Sequence, residues 1–241
     1  MRPGSLSIIL FISALFAFGP LSNDMYVPVM PSVRNTFDVP IPIAQLTFSV
    51  FLFGFAIGQL VMGPLSDRLG RKPILTWGLA LFCLSCLVCG LATDINWLIF
   101  GRLLQAIATS STWVVSRAII RDMHDGEQTT KIFGYCTSIM GGISAFMPIT
   151  GGFLSEGPGW RMMFFLLALL GGISLIFVLL YFRETAPIKP KTEQTPQLFR
   201  SVKILLLSPI FMGYTVCLCL SLGAMMTFIS GGSFIFILMQ G

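Results

Sequence analysis

An aspartate and an arginine stand where the sequence is otherwise apolar, and both residue types can do proton or anion chemistry in such surroundings. Asp24 lies in the run Asn23-Asp24-Met25-Tyr26-Val27-Pro28-Val29-Met30-Pro31, and Arg102 follows Asn96 by six residues. A charged group at bilayer depth is costly, so it faces protein or water and marks a substrate, ion or proton path. Asp24 is thereby a candidate for gaining and losing a proton. The competing reading makes it an interfacial carboxylate that caps a helix or orders the turn before Pro28. Arg102 is too deep to reach the surface by extending its stem, so it needs an internal partner. Gln105, three residues on, shares its helix face and makes a polar patch able to orient water, carbonyls or a substrate. A purely structural role between helices is the alternative for this pair. Arg117 is the other ionisable group in a span and lies nearer an inner helix end.

Metal and nucleophilic chemistry find less support. Cys83-x2-Cys86-x2-Cys89 has part of the spacing of an iron–sulfur run, but no fourth ligand or Pro follows it. Inside an apolar span these residues read as small packing side chains, as do Cys136, Cys217 and Cys219. His124, in the polar stretch Met123–Gln128, has no second His or Cys nearby and reads as solvated. There is no Walker loop, metal-ligand cluster or nucleophile–base pair, so no enzyme, cofactor or metal site is expected.

The elements that must position Asp24 and Arg102 are membrane helices. Hydrophobic residues make up 55% of the chain and charged residues only 10%, far from the composition of a soluble domain. A span needs about 20 mostly apolar residues. Seven segments fit, near Leu6–Asn23, Gln45–Leu65, Ile74–Ala92, Trp97–Val115, Ile132–Leu154, Met163–Phe182 and Ile204–Ile229. The fold class is therefore an all-α polytopic membrane protein. The first span follows Arg2 like a signal peptide, but no small-x-small cleavage site follows Phe18, and it reads as a retained helix whose outer end holds Asn23 and Asp24.

Charge sets the orientation. With Arg2 inside, Arg68, Arg71, Lys72, Arg121, Lys131, Arg183, Lys189, Lys191, Arg200 and Lys203 are inside too, and only Arg34 and Arg161 fall in outer loops. That asymmetry predicts a cytoplasmic N-terminus and explains the net charge of +5 without a nucleic-acid partner. Six spans, residues 1–182, are expected to form one bundle. Residues 183–203, rich in Lys, Thr, Pro and Gln, read as a cytoplasmic inter-bundle loop, and residues 204–241 as a seventh span that begins a second bundle. Ser230-Gly-Gly-Ser233 reads as a helix-breaking run. An odd number of spans and the abrupt stop at Gly241 lead to the expectation of a C-terminally truncated product, whose partner would be another copy or a missing C-terminal half.

Two further stretches look built for close or moving contacts. Gly63 to Leu75 reads GPLSDRLGRKPIL, a charged hinge between the second and third spans. In the fifth span Gly141 and Gly142 precede Pro148, Gly151 and Gly152. There the proline removes a backbone hydrogen bond and the glycines permit close approach, either as a moving hinge or as a static kink. Gly54 and Gly58 have the small-xxx-small spacing of a packing face.

Taken in order, these motifs resemble the major facilitator superfamily, specifically drug/proton antiporters of the Bcr/CflA type, over essentially the whole chain. Gly63-x-Leu65-x-Asp67-Arg68-x-Gly70-Arg71-Lys72 is similar to the signature loop between helices 2 and 3, and Asp24-x-Tyr26-x-Pro28-x-x-Pro31 to the helix 1 signature of drug exporters. Leu98-x-x-x-Arg102-x-x-Gln105 resembles the helix 4 signature, Pro148-x-x-Gly151-Gly152 the helix 5 antiporter motif, and Trp160-Arg161-x-x-Phe164 the entry to helix 6. Ala106 stands where the helix 4 pattern has Gly, and Met147 where the helix 5 pattern has Gly.

The resemblance implies two six-helix bundles rocking about a central cavity, of which this chain holds the N-terminal bundle and one helix. It implies multi-pass insertion in a bacterial inner membrane and export of small hydrophobic drugs, of chloramphenicol type in character, in exchange for protons, hence antibiotic resistance. A metabolite exporter of the same superfamily and an inactive remnant are the alternatives. Asp24, Tyr26, Arg102 and Gln105 would form the proton and substrate site. Gly63, Asp67, Arg68, Gly70 and Arg71 would form a conformational latch, with Asp67 pairing to Arg71, and Gly142, Pro148, Gly151 and Gly152 a helix 5 hinge.

Overall fold

The computed structural model describes residues 6–124, 126–185 and 207–239. The chain divides into two units, Met1–Ala186 and Pro187–Gly241. The first contains α1 (Leu6–Asn23), a 3-10 turn (Val27–Val29), α2 (Met30–Phe37), α3 (Ile41–Leu69), α4 (Arg71–Gly90), α5 (Ile95–Met123), α6 (Gly126–Glu156) and α7 (Trp160–Tyr181). The second contains α8 (Pro209–Met239). No strand occurs among the described residues, and seven stretches are long and apolar enough to cross a membrane. Of the expected inter-bundle loop 183–203, only Arg183–Thr185 lie among the described residues.

The first span differs from its expected form in an instructive way. It does not end at Asn23 but continues through the turn and α2, so that one stretch of 30 residues, Ile8–Phe37, is interrupted near its middle. Two prolines cause this. Pro28 lies in the first residues of the 3-10 turn and Pro31 in the first turn of α2, positions where a missing N–H costs nothing but an uninterrupted helix cannot run. Asp24 consequently sits at a mid-span break rather than at an outer helix end.

Three other expectations need correction. The charged hinge contracts to one residue, since α3 runs to Leu69 and α4 begins at Arg71. Ser230–Ser233 does not break α8, which stays helical to Met239. Two glycines in a helix cost only about 1 kcal/mol each, and a long apolar helix bears that. His124 is buried rather than solvated, 8% exposed, because α6 turns back directly at Gly126 and Thr129 donates to the His124 carbonyl at 2.6 Å.

α5 is the central post. It packs extensively on α3 and α4, and its buried positions circle the helix from Leu98 to Ile120. Asp94 caps its start, accepting from the amides of Asn96 and Trp97 at 2.8 and 3.2 Å. Ser110, Ser111 and Thr112 spend their buried hydroxyls within the helix, donating to the carbonyls of Ile107, Ala108 and Thr109, while Ser116 Oγ has no partner among the described residues. The neighbours approach through glycine. A Cβ built on Gly58 of α3 would lie 2.8 Å from Ser110 Cβ and 3.2 Å from Ile107 Cα. Far from this seam, the α7 entry clasps α2: Trp160 Nε1 donates to Thr36 Oγ1 at 3.0 Å, and Arg161 lies over the Trp160 ring and donates to the Ala92 carbonyl at 3.0 Å.

Gly58→Ala therefore forces α3 from α5 and lowers stability by about 1–3 kcal/mol. Gly142→Ala, where an added Cβ meets nothing within 4 Å, leaves stability equal or slightly higher. Thermal unfolding of the two variants in detergent micelles distinguishes a seam set by glycine from a general intolerance of larger residues.

Candidate functional site

The break in the first span creates the site. In an unbroken helix the amide of Tyr26 would bond the Ser22 carbonyl, but here it bonds Asn23 O at 3.2 Å. The Ser22 carbonyl is thereby freed, and Arg102 Nη1 of α5 donates to it at 2.8 Å. The same Nη1 donates to Gln105 Oε1 at 2.7 Å, so the side-chain pair expected from its three-residue spacing forms. Gln105 Nε2 in turn lies 3.1 Å from Cys86 Sγ on α4.

Arg102 is completely buried, and no carboxylate of the described residues bonds to it. Its charge is met by those two oxygens and by ring faces: Cζ lies 4.3 Å from the Tyr26 ring centroid and 4.2 Å from that of Phe51. The Nε and Nη2 groups have no hydrogen-bond partner among the described residues. These two donors form one edge of the guanidinium, the edge that grips a carboxylate with two parallel bonds. Tyr26 is also fully buried, with its oxygen 2.6 Å from Thr47 Oγ1. Thr47 spends its own proton on the Ala44 carbonyl, so the tyrosine is the donor.

Asp24 faces another way. Its Oδ2 accepts from Ser144 of α6, and Asn23 Nδ2 lies 3.5 Å from Oδ1. α6 holds the break at two more points. Gly151 lies against the Met25 carbonyl, where any Cβ would collide with the backbone oxygen and with Pro28 Cγ, 2.9 Å away. Ser32 and Ser155 hydroxyls bond at 2.5 Å. Of the four expected hinge residues, only Gly151 makes this approach. Added Cβ atoms on Gly142 and Gly152 would meet open space, and Pro148 is exposed inside a helix that continues through it.

The residues expected to form a latch meet at the other end of α5. Arg71 Nη1 donates to Asp67 Oδ1 at 2.6 Å and to Ser66 Oγ at 2.8 Å, while Nε donates to Asp122 Oδ2 at 2.8 Å. Asp122 and Arg71 are both buried, whereas the Asp67 side chain is about half exposed. Gly70 joins the helices at φ +98°, a conformation open to glycine. Arg68 is exposed, and Gly63 accepts a bond from Ser66 Oγ at 2.9 Å. Sequence reasoning missed Ser144, Asp122, Ser22 and Thr47. Asp122, beside Arg121 in the inner stretch expected after the fourth span, was the one that charge pattern could have found; a serine in a Gly-rich helix carries no such signal.

Replacing Arg102 by Met leaves the Ser22 carbonyl and Gln105 buried without their donor, costing about 1–3 kcal/mol for each group. Gly151→Ala drives α6 from the break and costs about 1–3 kcal/mol. The measurement is the thermal midpoint of each purified variant, with Gly152→Ala as the control expected to match the parent chain.

A broken first helix, a buried arginine on the fourth span facing it, and a single-glycine loop stapled by Arg71 form a consistent constellation, and comparison with known proteins places it. Residues 6–241 match the family profile described as Major Facilitator Superfamily. The chain is 32% identical over 236 residues to the uncharacterized MFS-type transporter YdgK of Bacillus subtilis (strain 168), covering 96% of this chain and 58% of that protein. It is 30% identical over 217 residues to the multidrug resistance protein MdtL of Escherichia coli O139:H28, covering 90% and 55%. Among solved structures it is similar to a bacterial homolog of the human lysosomal transporter Spinster, in an inward-facing and unoccupied conformation, with TM-score 0.73 at 18% identity over 95% of this chain and 56% of that one. It is also similar to the peptide transporter POT in complex with sulfate, with TM-score 0.67 at 12% identity over 92% and 49%. The chain thus spans a little over half the length of the relatives it matches in sequence. With the match running from the first described residue of α1 to the end of the chain, the protein belongs to the Major Facilitator Superfamily.

Proposed function

We propose that this chain serves a proton-coupled exporter of small hydrophobic drugs, of the Bcr/CflA type, in the bacterial inner membrane with its N-terminus in the cytoplasm. The observation that carries the reading is Asp24, a carboxylate at a mid-span break, held by the Ser144 hydroxyl and separated by a single residue from Ser22, whose carbonyl Arg102 binds. Asp24 is the one acidic residue in that broken span, and a carboxylate there can exchange a proton while a guanidinium cannot. In this mechanism a proton on Asp24 alters what the carboxyl can accept and donate, and the broken segment shifts between its Ser144 anchor and the open Nε/Nη2 edge of Arg102. Drug and proton then compete for one region, which is the requirement for antiport. Tyr26 and Gln105 keep Arg102 oriented, and the Asp67–Arg71 pair acts as part of a latch between alternating-access states. Similarity to a multidrug resistance protein supports the substrate class.

The test is accumulation of chloramphenicol in cells expressing the chain, with and without a proton uncoupler. The uncoupler raises accumulation in cells with the parent chain. Asp24→Asn, which keeps an acceptor for Ser144 but cannot exchange a proton, lowers the uncoupler-sensitive efflux rate more than about tenfold. Accumulation that is insensitive to the uncoupler across a panel of hydrophobic drugs overturns the proposal.

A further inference from the structure

The loop at Gly70 is held by a residue far away in sequence. The amides of Arg71 and Lys72 open α4, and they belong to the donors that every helix start leaves without an internal partner. The residue before them is glycine, which offers no side-chain cap. Glu184 supplies one from beyond the end of α7: Oε1 accepts from the Arg71 amide at 2.8 Å and Oε2 from the Lys72 amide at 3.0 Å. The site is shaped for this carboxylate, because a Cβ on Gly70 would come within 2.6 Å of Oε2 and 3.0 Å of Cδ. The capping is reciprocal, since Lys72 Nζ donates to the Leu179 carbonyl at the end of α7, 3.2 Å away. An anion thus meets a helix start and a cation meets a helix end, both in the favourable sense of the helix dipole.

We infer that Glu184 is a positioning residue of the Gly70 loop, fixing the backbone from which Arg71 reaches Asp67 and Asp122. Arg71 is gripped at both ends: its amide by Glu184, its guanidinium by Ser66, Asp67 and Asp122. Losing the backbone grip frays the first turn of α4 and blurs the direction in which the guanidinium leaves it. Glu184 also stands two residues before Ala186, where the first unit ends, so the geometry of the loop is tied to the point at which the chain leaves that unit. For its consequence in transport, the inference rests on the latch reading proposed above; the capping itself does not.

The experiment is hydrogen–deuterium exchange on the 241-residue chain in lipid nanodiscs, comparing the parent chain with Glu184→Ala and Glu184→Gln. In the alanine variant the amides of Arg71 and Lys72 exchange about tenfold faster or more, while those near Gly90 at the far end of α4 keep their rates. The glutamine variant, with one acceptor oxygen, falls between the two. Unchanged exchange at Arg71 and Lys72 in Glu184→Ala overturns the inference, and so does an acceleration spread evenly along α4. If the alanine variant does not fold, the glutamine variant carries the test by the same criterion. Where the parent chain shows uncoupler-sensitive efflux, Glu184→Ala lowers the maximal rate several-fold at constant KM, because the loop lies at the opposite end of α5 from the proposed site at Arg102; a raised KM at an unchanged maximal rate overturns the positioning role. An inactive parent chain counts against the transport reading and leaves the exchange result to decide this one.

Discussion

A helix broken in the middle of a bilayer span survives only where protein takes up the backbone groups that the break releases, because lipid offers them nothing. Here the Ser22 carbonyl is met by one side-chain bond, from Arg102 Nη1. Everything around it follows from making the donor affordable. A guanidinium with no carboxylate beside it is costly to bury, so it is stacked on the rings of Tyr26 and Phe51 and donates to Gln105 Oε1. Tyr26 must hold its ring over that charge, so its hydroxyl is pinned to Thr47, whose own proton goes to Ala44. The broken segment must remain close to α5, so α6 presents Gly151 to it where no larger residue fits.

The opposite end of the bundle solves a different problem with similar means. Two long helices, α3 and α4, reverse direction over a single residue, which leaves their ends crowded and their end groups without internal partners. Arg71 answers for α3 and α5 with its side chain, and Glu184 answers for α4 with its carboxylate. Because Arg71 and Asp122 are both buried, removing Arg71 would strand the Asp122 carboxylate and removing Asp122 would leave Arg71 only its half-exposed partner, whereas Asp67 itself is replaceable by water on its open side. The strong member of this cluster is thus the pair that local sequence did not reveal.

What the sequence made legible was whatever a one-dimensional pattern encodes. Seven apolar stretches, the Arg102–Gln105 face and the Asp67–Arg71 spacing all depend on local periodicity, and each has its counterpart in the structure. Residues brought together by folding carry no such pattern: Ser144 lies 120 positions from Asp24, and Glu184 lies 113 from Arg71. The misplaced end of the first span has a more specific cause. Hydropathy alone stops at the polar pair Asn23–Asp24, while the fold spends two prolines to interrupt the helix and then resumes it to Phe37. His124 was misjudged for a related reason, since a short polar stretch reads as loop although the chain turns back tightly enough there to bury the ring.

The two polar clusters differ in how redundantly they are anchored, and that difference bears on where chemistry can occur. Arg71 has four side-chain and backbone bonds to residues of α3, α5 and the segment after α7, so the loss or gain of one proton nearby leaves most of its geometry standing. Among the described residues Asp24 has one bond to another helix, from the Ser144 hydroxyl, and the adjacent Asn23 Oδ1 has no partner. The loss of a single bond therefore leaves more of the loop standing than of the break. α5 carries Arg102 in its interior and Asp122 near its end, twenty residues or about 30 Å apart along one helix. A rearrangement at the weakly anchored site must be borne by that rigid post, and the strongly anchored loop is the place where its displacement meets the greatest resistance.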